Sequence, residues 1–152
     1  MKLSMILTVD FMESILFFHF FLSFFMTGII CLIQLIHYPS FSFIDKNMYS
    51  KFQTFHMSRI SLLVGPIMIL EFFSGLFLLF FFYSESNFFI INFILNILIL
   101  IMTIIVFGTI HKKLIEGFKP SLFEKLISMN WIRTVLWLLK SIFIFLYNFK
   151  FI

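Results

Sequence analysis

With 152 residues, 62% of them hydrophobic and only 12% charged, and a mean hydropathy of +1.12, the chain lacks the polar surface of a water-soluble domain, in which about a quarter of residues are charged. Its 27 Phe, mostly in runs such as Phe17-Phe18, Phe24-Phe25 and Phe80-Phe81-Phe82, suit lipid tails and would leave a soluble protein sticky. The net charge of +4 does not imply a nucleic-acid partner, because the basic residues lie mainly in two loops rather than on a soluble aromatic face, and the single Cys31 excludes an intramolecular disulfide.

The first apolar stretch, about 14–36, is too long for the core of a signal peptide and has no small-residue cleavage site after it, so it reads as a retained span. From Ser40 to Ser58 the chain turns polar. Ile44, Met48, Phe52 and Phe55 recur at helical spacing opposite Asp45, Lys46, Lys51 and Gln53, which predicts a short amphipathic helix lying along the interface between spans one and two. The second span follows at about 60–83 and the third at about 88–110, separated only by Ser84, Glu85, Ser86 and Asn87, a connection short enough for an antiparallel hairpin. A longer loop from His111 to Met129 contains Pro120 and then Ser121-Leu122-Phe123-Glu124, a capping-box pattern that predicts a short helix leading into the fourth span at about 130–147. Each span is long enough, at about 1.5 Å per residue, to cross a hydrocarbon core of about 30 Å. The expected fold is therefore all-α, a single transmembrane domain over residues 1–152 arranged as an up-and-down four-helix bundle.

The first and third loops and their edges hold Lys46, Lys51, Arg59, Lys112, Lys113, Lys119, Lys125 and Arg133, whereas the opposite side has only Lys2 and Lys150. The positive-inside rule places both long loops in the cytoplasm and both termini outside.

Polar residues within a span are costly in lipid and turn inward. His19, Ser23, Thr27 and Gln34, with His37 just beyond, form one stripe on the first span. Asn92, Asn96 and Thr103 do so on the third, and Asn130, Arg133, Trp137, Lys140 and Ser141 on the fourth. Glu71 lies roughly 18 Å along the helix from Arg59, near the midplane, where an ionised carboxylate needs a partner. Lys140 reaches similar depth, and Asn96 and Thr27 are candidate hydrogen-bond donors to the Glu71 carboxylate. Either this network, with Gln34, pins the helices together, or it handles protons or a ligand. Gly65-Pro66, shortly before Glu71, predicts a bend in the second span.

His37, His56 and His111 fall at matching depths at the loop ends of spans one, two and three, beside Arg59 and Arg133. Imidazoles there can exchange protons or ligate a metal or haem, but no pair has a local spacing such as His-x-x-x-His, so no cofactor is favoured. His19 lies toward the other end and reads as a hydrogen-bonded interior residue. There is no phosphate-binding glycine loop, nucleophile elbow or paired-carboxylate motif.

His37-Tyr38-Pro39, the run from Phe52 through His56 to Arg59-Ile60, Leu114, and Asn130-Trp131-Ile132-Arg133-Thr134, taken in order, resemble small four-span bacterial membrane proteins distantly similar to the anthrone-oxygenase-like family. That resemblance implies a four-helix membrane bundle and, for a few members, cofactor-independent oxidation of polycyclic aromatic substrates, with Arg133-Thr134 matching the family's Arg-Thr pair. The functional expectation is a chain that binds or oxidises a lipophilic small molecule in a polar interior open to the cytoplasmic leaflet, with membrane lipid as its other contact. In the enzymatic form, His56 or His37 is the general base and Arg59 and Arg133 stabilise an oxyanion. The alternatives are a proton-coupled carrier working as a homo-oligomer, and a non-catalytic membrane subunit or assembly factor.

Overall fold

The computed structural model describes residues 2–82 and 87–149. Among these there is no strand: the chain forms helix α1 (Lys2–Leu32), α2 (Lys46–Phe82), α3 (Asn87–Ile101), α4 (Gly108–Ile115) and α5 (Pro120–Asn148). Two π-helical segments interrupt this regularity. Ile33–His37 extends α1 toward two short turns, Tyr38–Ser40 and Phe41–Phe43, and Met102–Phe107 joins α3 to α4. Four stretches, Phe11–Phe43, Lys46–Phe81, Asn87–Ile115 and Pro120–Tyr147, are long and apolar enough to cross a membrane. The shortest has 28 residues, about 42 Å of helix, so each can extend beyond a hydrocarbon core of about 30 Å.

The four rods close into a ring in which α1 packs on α2 and α5, and α3 packs on the same two. Residue pairing shows that neighbours run antiparallel. Thr27 meets Ser141 while Gln34 meets Asn130, and His19 meets Ser74 while His37 meets His56. Phe88 stacks on Tyr147 and Phe107 on Arg133, which sets the direction of α3 against α5. This is the up-and-down bundle that the alternation of spans and loops predicts. Many of the Phe, Leu and Ile side chains point outward while His, Asn, Glu, Lys and Arg are buried, so the usual distribution is inverted. Such an exterior suits lipid, and most of the interior polar side chains hydrogen-bond one another.

Three local expectations change. The segment from Lys46 to Arg59 is not a separate interfacial helix but the opening turns of α2, which runs unbroken to Phe82 and through Pro66. Its buried face is also not the apolar one: Tyr49, Gln53 and His56, at i, i+4 and i+7, face the bundle, while Met48 and Phe55 are exposed. Only residues 116–119 separate α4 from α5, so the expected long loop is helical on both sides. No capping box forms there. Lys119 occupies the cap without a side-chain hydrogen bond, and Pro120 takes the first helical position, where its missing N–H costs nothing. Gly117 makes this turn with φ of 142°, a conformation that side chains resist. The connection read at Ser84 to Asn87 lies outside the described residues up to Asn87, as does Lys150.

Candidate functional site

The inward stripes assemble as three layers of polar contacts. In the layer farthest from the two connections 44–45 and 116–119, His19 is buried between Ser74 and Asn92. Asn92 Oδ1 can only accept, so His19 Nε2 carries the proton and donates to it at 3.0 Å, leaving Nδ1 to accept from Ser74 at 2.8 Å. Gly75 makes room for this layer. A Cβ there would lie 3.1 Å from His19 Cε1 and 3.2 Å from Asn96 Nδ2.

The middle layer is built on Glu71, fully buried, which pairs with the fully buried Lys140 through Oε1. Ser23 donates to the same oxygen at 2.5 Å. The two other donors expected for this carboxylate bond elsewhere. Asn96 donates to the Glu71 backbone carbonyl at 3.2 Å, and Thr27 lies 2.7 Å from Ser141 Oγ, tying α1 to α5. Glu71 and Lys140 thus join α2 to α5 across the bundle, and neither lines a cavity described below.

The third layer, at the end bearing the connections 44–45 and 116–119, gathers the remaining candidates around two cavities. One, of about 200 Å³, has apolar walls from Ile30, Ile33, Val64, Met68 and Phe107 and a polar end made by Tyr38, His111 and Arg133. Gly65 also lines it, and a Cβ there would meet nothing within 4 Å. The other, of about 210 Å³, is a more superficial groove lined by His37, His56 and Arg59 with Phe52, Phe55, Ile60 and Leu63. Arg59 is exposed and lies over the Phe55 ring at 5.6 Å, whereas Arg133 is buried. The two arginines therefore share no cavity, and one oxyanion cannot be held by both.

The three histidines do converge. His37 Nε2 and His56 Nδ1 share a hydrogen bond of 2.8 Å, and the His56 ring centroid is 5.4 Å from that of His111. His37 Nε2, His56 Nδ1 and both His111 nitrogens are taken by hydrogen bonds to one another or to neighbours, and among the described residues no group of three or more His, Cys, Asp or Glu is arranged to hold a metal ion. His56 Nε2, Gln53 Oε1 and the Tyr49 hydroxyl are buried in this layer without a partner.

His111 is the organiser of the cavity's polar end. Gln53 Nε2 donates to its Nδ1 at 2.6 Å, so Nε2 carries the proton and donates to the Tyr38 hydroxyl oxygen at 2.9 Å. With that hydrogen bond accepted, the Tyr38 hydroxyl has its own hydrogen left to give. Arg133 Nε and Nη2 donate to Asn130 Oδ1 at 3.0 and 2.6 Å, and Asn130 Nδ2 donates to Gln34 Oε1 at 2.7 Å, which explains why Gln34 is buried on the first stripe. The guanidinium lies over the Phe107 ring, 3.8 Å from its centroid. Every one of these partners is uncharged. A desolvated cation–π contact recovers about 2 kcal/mol, while burying a lone ion costs several.

Thr134, the second residue of the Arg-Thr pair, bonds to the Asn130 carbonyl of its own helix at 2.8 Å. Tyr38 and Gln53 are the site residues that sequence reasoning did not select. Tyr38 lies between His37 and Pro39 in a motif that carries no role of its own, and the helical spacing puts Gln53 on the solvent face, whereas it is buried. The π-helical turns that carry the chain to Tyr38 and Phe107 have no sequence signal, although such turns recur at functional sites. Comparison with family models, curated proteins and solved structures finds no match for this chain.

Proposed function

We propose that the chain is a bacterial cytoplasmic-membrane protein that binds a lipophilic small molecule in the cavity between α1, α2, α4 and α5, entered from the cytoplasmic leaflet. The observation that carries this reading is a cavity of about 200 Å³ whose walls are apolar and whose polar groups converge at one end on Tyr38, His111 and Arg133. Binding sites for apolar molecules have this character, broad apolar lining with a few fixed polar groups that orient the guest. The resemblance to anthrone-oxygenase-like proteins suits such a guest, and oxidation of it is an elaboration of the same site. His111 and Tyr38, rather than His37 and Arg59, are then the groups in reach of the molecule.

The test is the content of the purified protein. Solvent extraction and mass spectrometry of detergent-purified wild type should find a lipophilic compound in near-stoichiometric amount, depleted at least fivefold in Val64→Phe, which fills the wall, with the unfolding midpoint of Val64→Phe retained. An equal amount in both proteins, or neither a co-purifying compound nor thermal stabilisation by aromatic and isoprenoid probes, would reject the reading.

A further inference from the structure

We infer that the guest of this cavity is a monoanion, an apolar body carrying one carboxylate or equivalent oxyanion that docks on Arg133 and Tyr38. The inference rests on the binding role proposed above and adds the charge of the ligand to it.

Arg133 carries the argument. Its guanidinium is buried, lines the cavity, and among the described residues has no carboxylate partner: the ion pairs there are Lys140 with Glu71 and Lys119 with Glu116. The side chains that do touch it, Asn130 and Phe107, are neutral, as is Tyr38 beside it in the cavity lining. The contrast with Lys140 is informative, because that cation is just as buried and is matched by a carboxylate. A buried cation with no counter-charge beside an open volume is completed by an anion entering that volume.

The donors that remain suit an oxyanion. A guanidinium has five N–H groups, and Asn130 Oδ1 occupies the edge formed by Nε and Nη2. The other edge, Nη1 with the second hydrogen of Nη2, is the one that pairs with a carboxylate through two parallel hydrogen bonds. The Tyr38 oxygen accepts from His111, so its hydrogen is a further donor at the same end of the cavity. His111 presents no nitrogen lone pair there, since Gln53 occupies Nδ1. No acceptor competes with the guest for these donors, and the single charge of Arg133 matches a single negative charge. The apolar walls then accept the body of the molecule.

Equilibrium binding to the full chain in lipid nanodiscs decides this with a matched pair of probes, 2-naphthoate and its neutral isostere 2-naphthamide, at pH 7. Wild type is expected to bind the acid at least tenfold more tightly than the amide. Arg133→Gln should bring the two affinities together by weakening the acid alone, while Arg133→Lys keeps a preference for the acid. If Arg133→Gln does not fold, the acid-to-amide ratio in wild type and in Tyr38→Phe, expected to fall severalfold in the latter, decides alone. Equal binding of acid and amide by wild type would overturn the inference and leave the lipophile site standing, whereas binding of neither would remove both. Repeating the titration in discs of phosphatidylglycerol and of phosphatidylcholine identifies the source of the anion. Weakened naphthoate binding only in the former makes the occupant a lipid phosphodiester, and equal binding in both makes it a free lipophilic acid, each outcome upholding the monoanion.

Discussion

At the scale of single residues, the interior holds two cations that are handled in opposite ways. Lys140 is tied to Glu71, and removing one partner of a buried pair leaves an uncompensated charge, so Lys140→Met should destabilise the bundle by about 3–5 kcal/mol. Replacing both, Glu71→Leu with Lys140→Met, should recover most of that loss, because the desolvation cost disappears along with the attraction. A double-mutant cycle of unfolding in mixed micelles measures it, and a double variant no more stable than the single would show that the pair does not act as a unit. Arg133 lacks such a partner, and Asn130→Asp would supply one at the position where Oδ1 already accepts two N–H groups. That variant should unfold at a higher temperature than wild type and bind anionic probes less tightly. A carboxylate beside the guanidinium with no gain in stability would show that Arg133 is already compensated. Glu71 and Lys140 were legible as a pair from depth alone, since helix rise converts residue number into position across the membrane. The neutral surroundings of Arg133 were not, because they depend on which residues three other segments bring to one point.

At the scale of elements, the polar stripes of the first, third and fourth spans were readable because lipid leaves a buried His, Asn or Lys only one direction to face. The same logic failed at 46–59. There the polar residues were read against water, and Gln53 was assigned to the solvent side, whereas the helix continues into the bundle and buries Tyr49, Gln53 and His56. Ser74 and Gly75 left no trace in the pattern, since small residues carry no hydropathy signal. Their role is close approach. Ala at Gly75 would press on His19 and Asn96, both held by hydrogen bonds and unable to yield freely, so Gly75→Ala should cost about 1–3 kcal/mol. Gly28→Ala, on the outer face of α1 and with open space around the new Cβ, should be neutral or gain up to about 1 kcal/mol from the stiffer backbone. Thermal unfolding of the two variants side by side checks the contrast. Equal destabilisation would mean that general helix strain, rather than the contact with His19, governs both positions.

At the scale of the whole molecule, an even number of antiparallel rods places the chain ends on one side and the first and third connections on the other. Charge decides which side is which. Arg133 and Lys140 are buried, so they belong to the interior and not to the count of flanking charges. That leaves Lys46, Lys51, Arg59, Lys112, Lys113, Lys119 and Lys125 near the two connections, against Lys2 and Lys150 at the ends. Seven against two still favours the cytoplasm for the connections, and the asymmetry rests on residues exposed where they are described, such as Lys51, Arg59, Lys112 and Lys125. Alkaline phosphatase fused after Ile152 should therefore be active and a green fluorescent protein there dark, while the fluorescent reporter inserted at Gly117 should be bright. In that proposed orientation Tyr38, His111 and Arg133 would lie in the cytoplasmic leaflet, and an anionic guest would reach them from the cell interior. A bright reporter at the carboxyl terminus would invert the bundle, and with it the side of the membrane from which the cavity is filled.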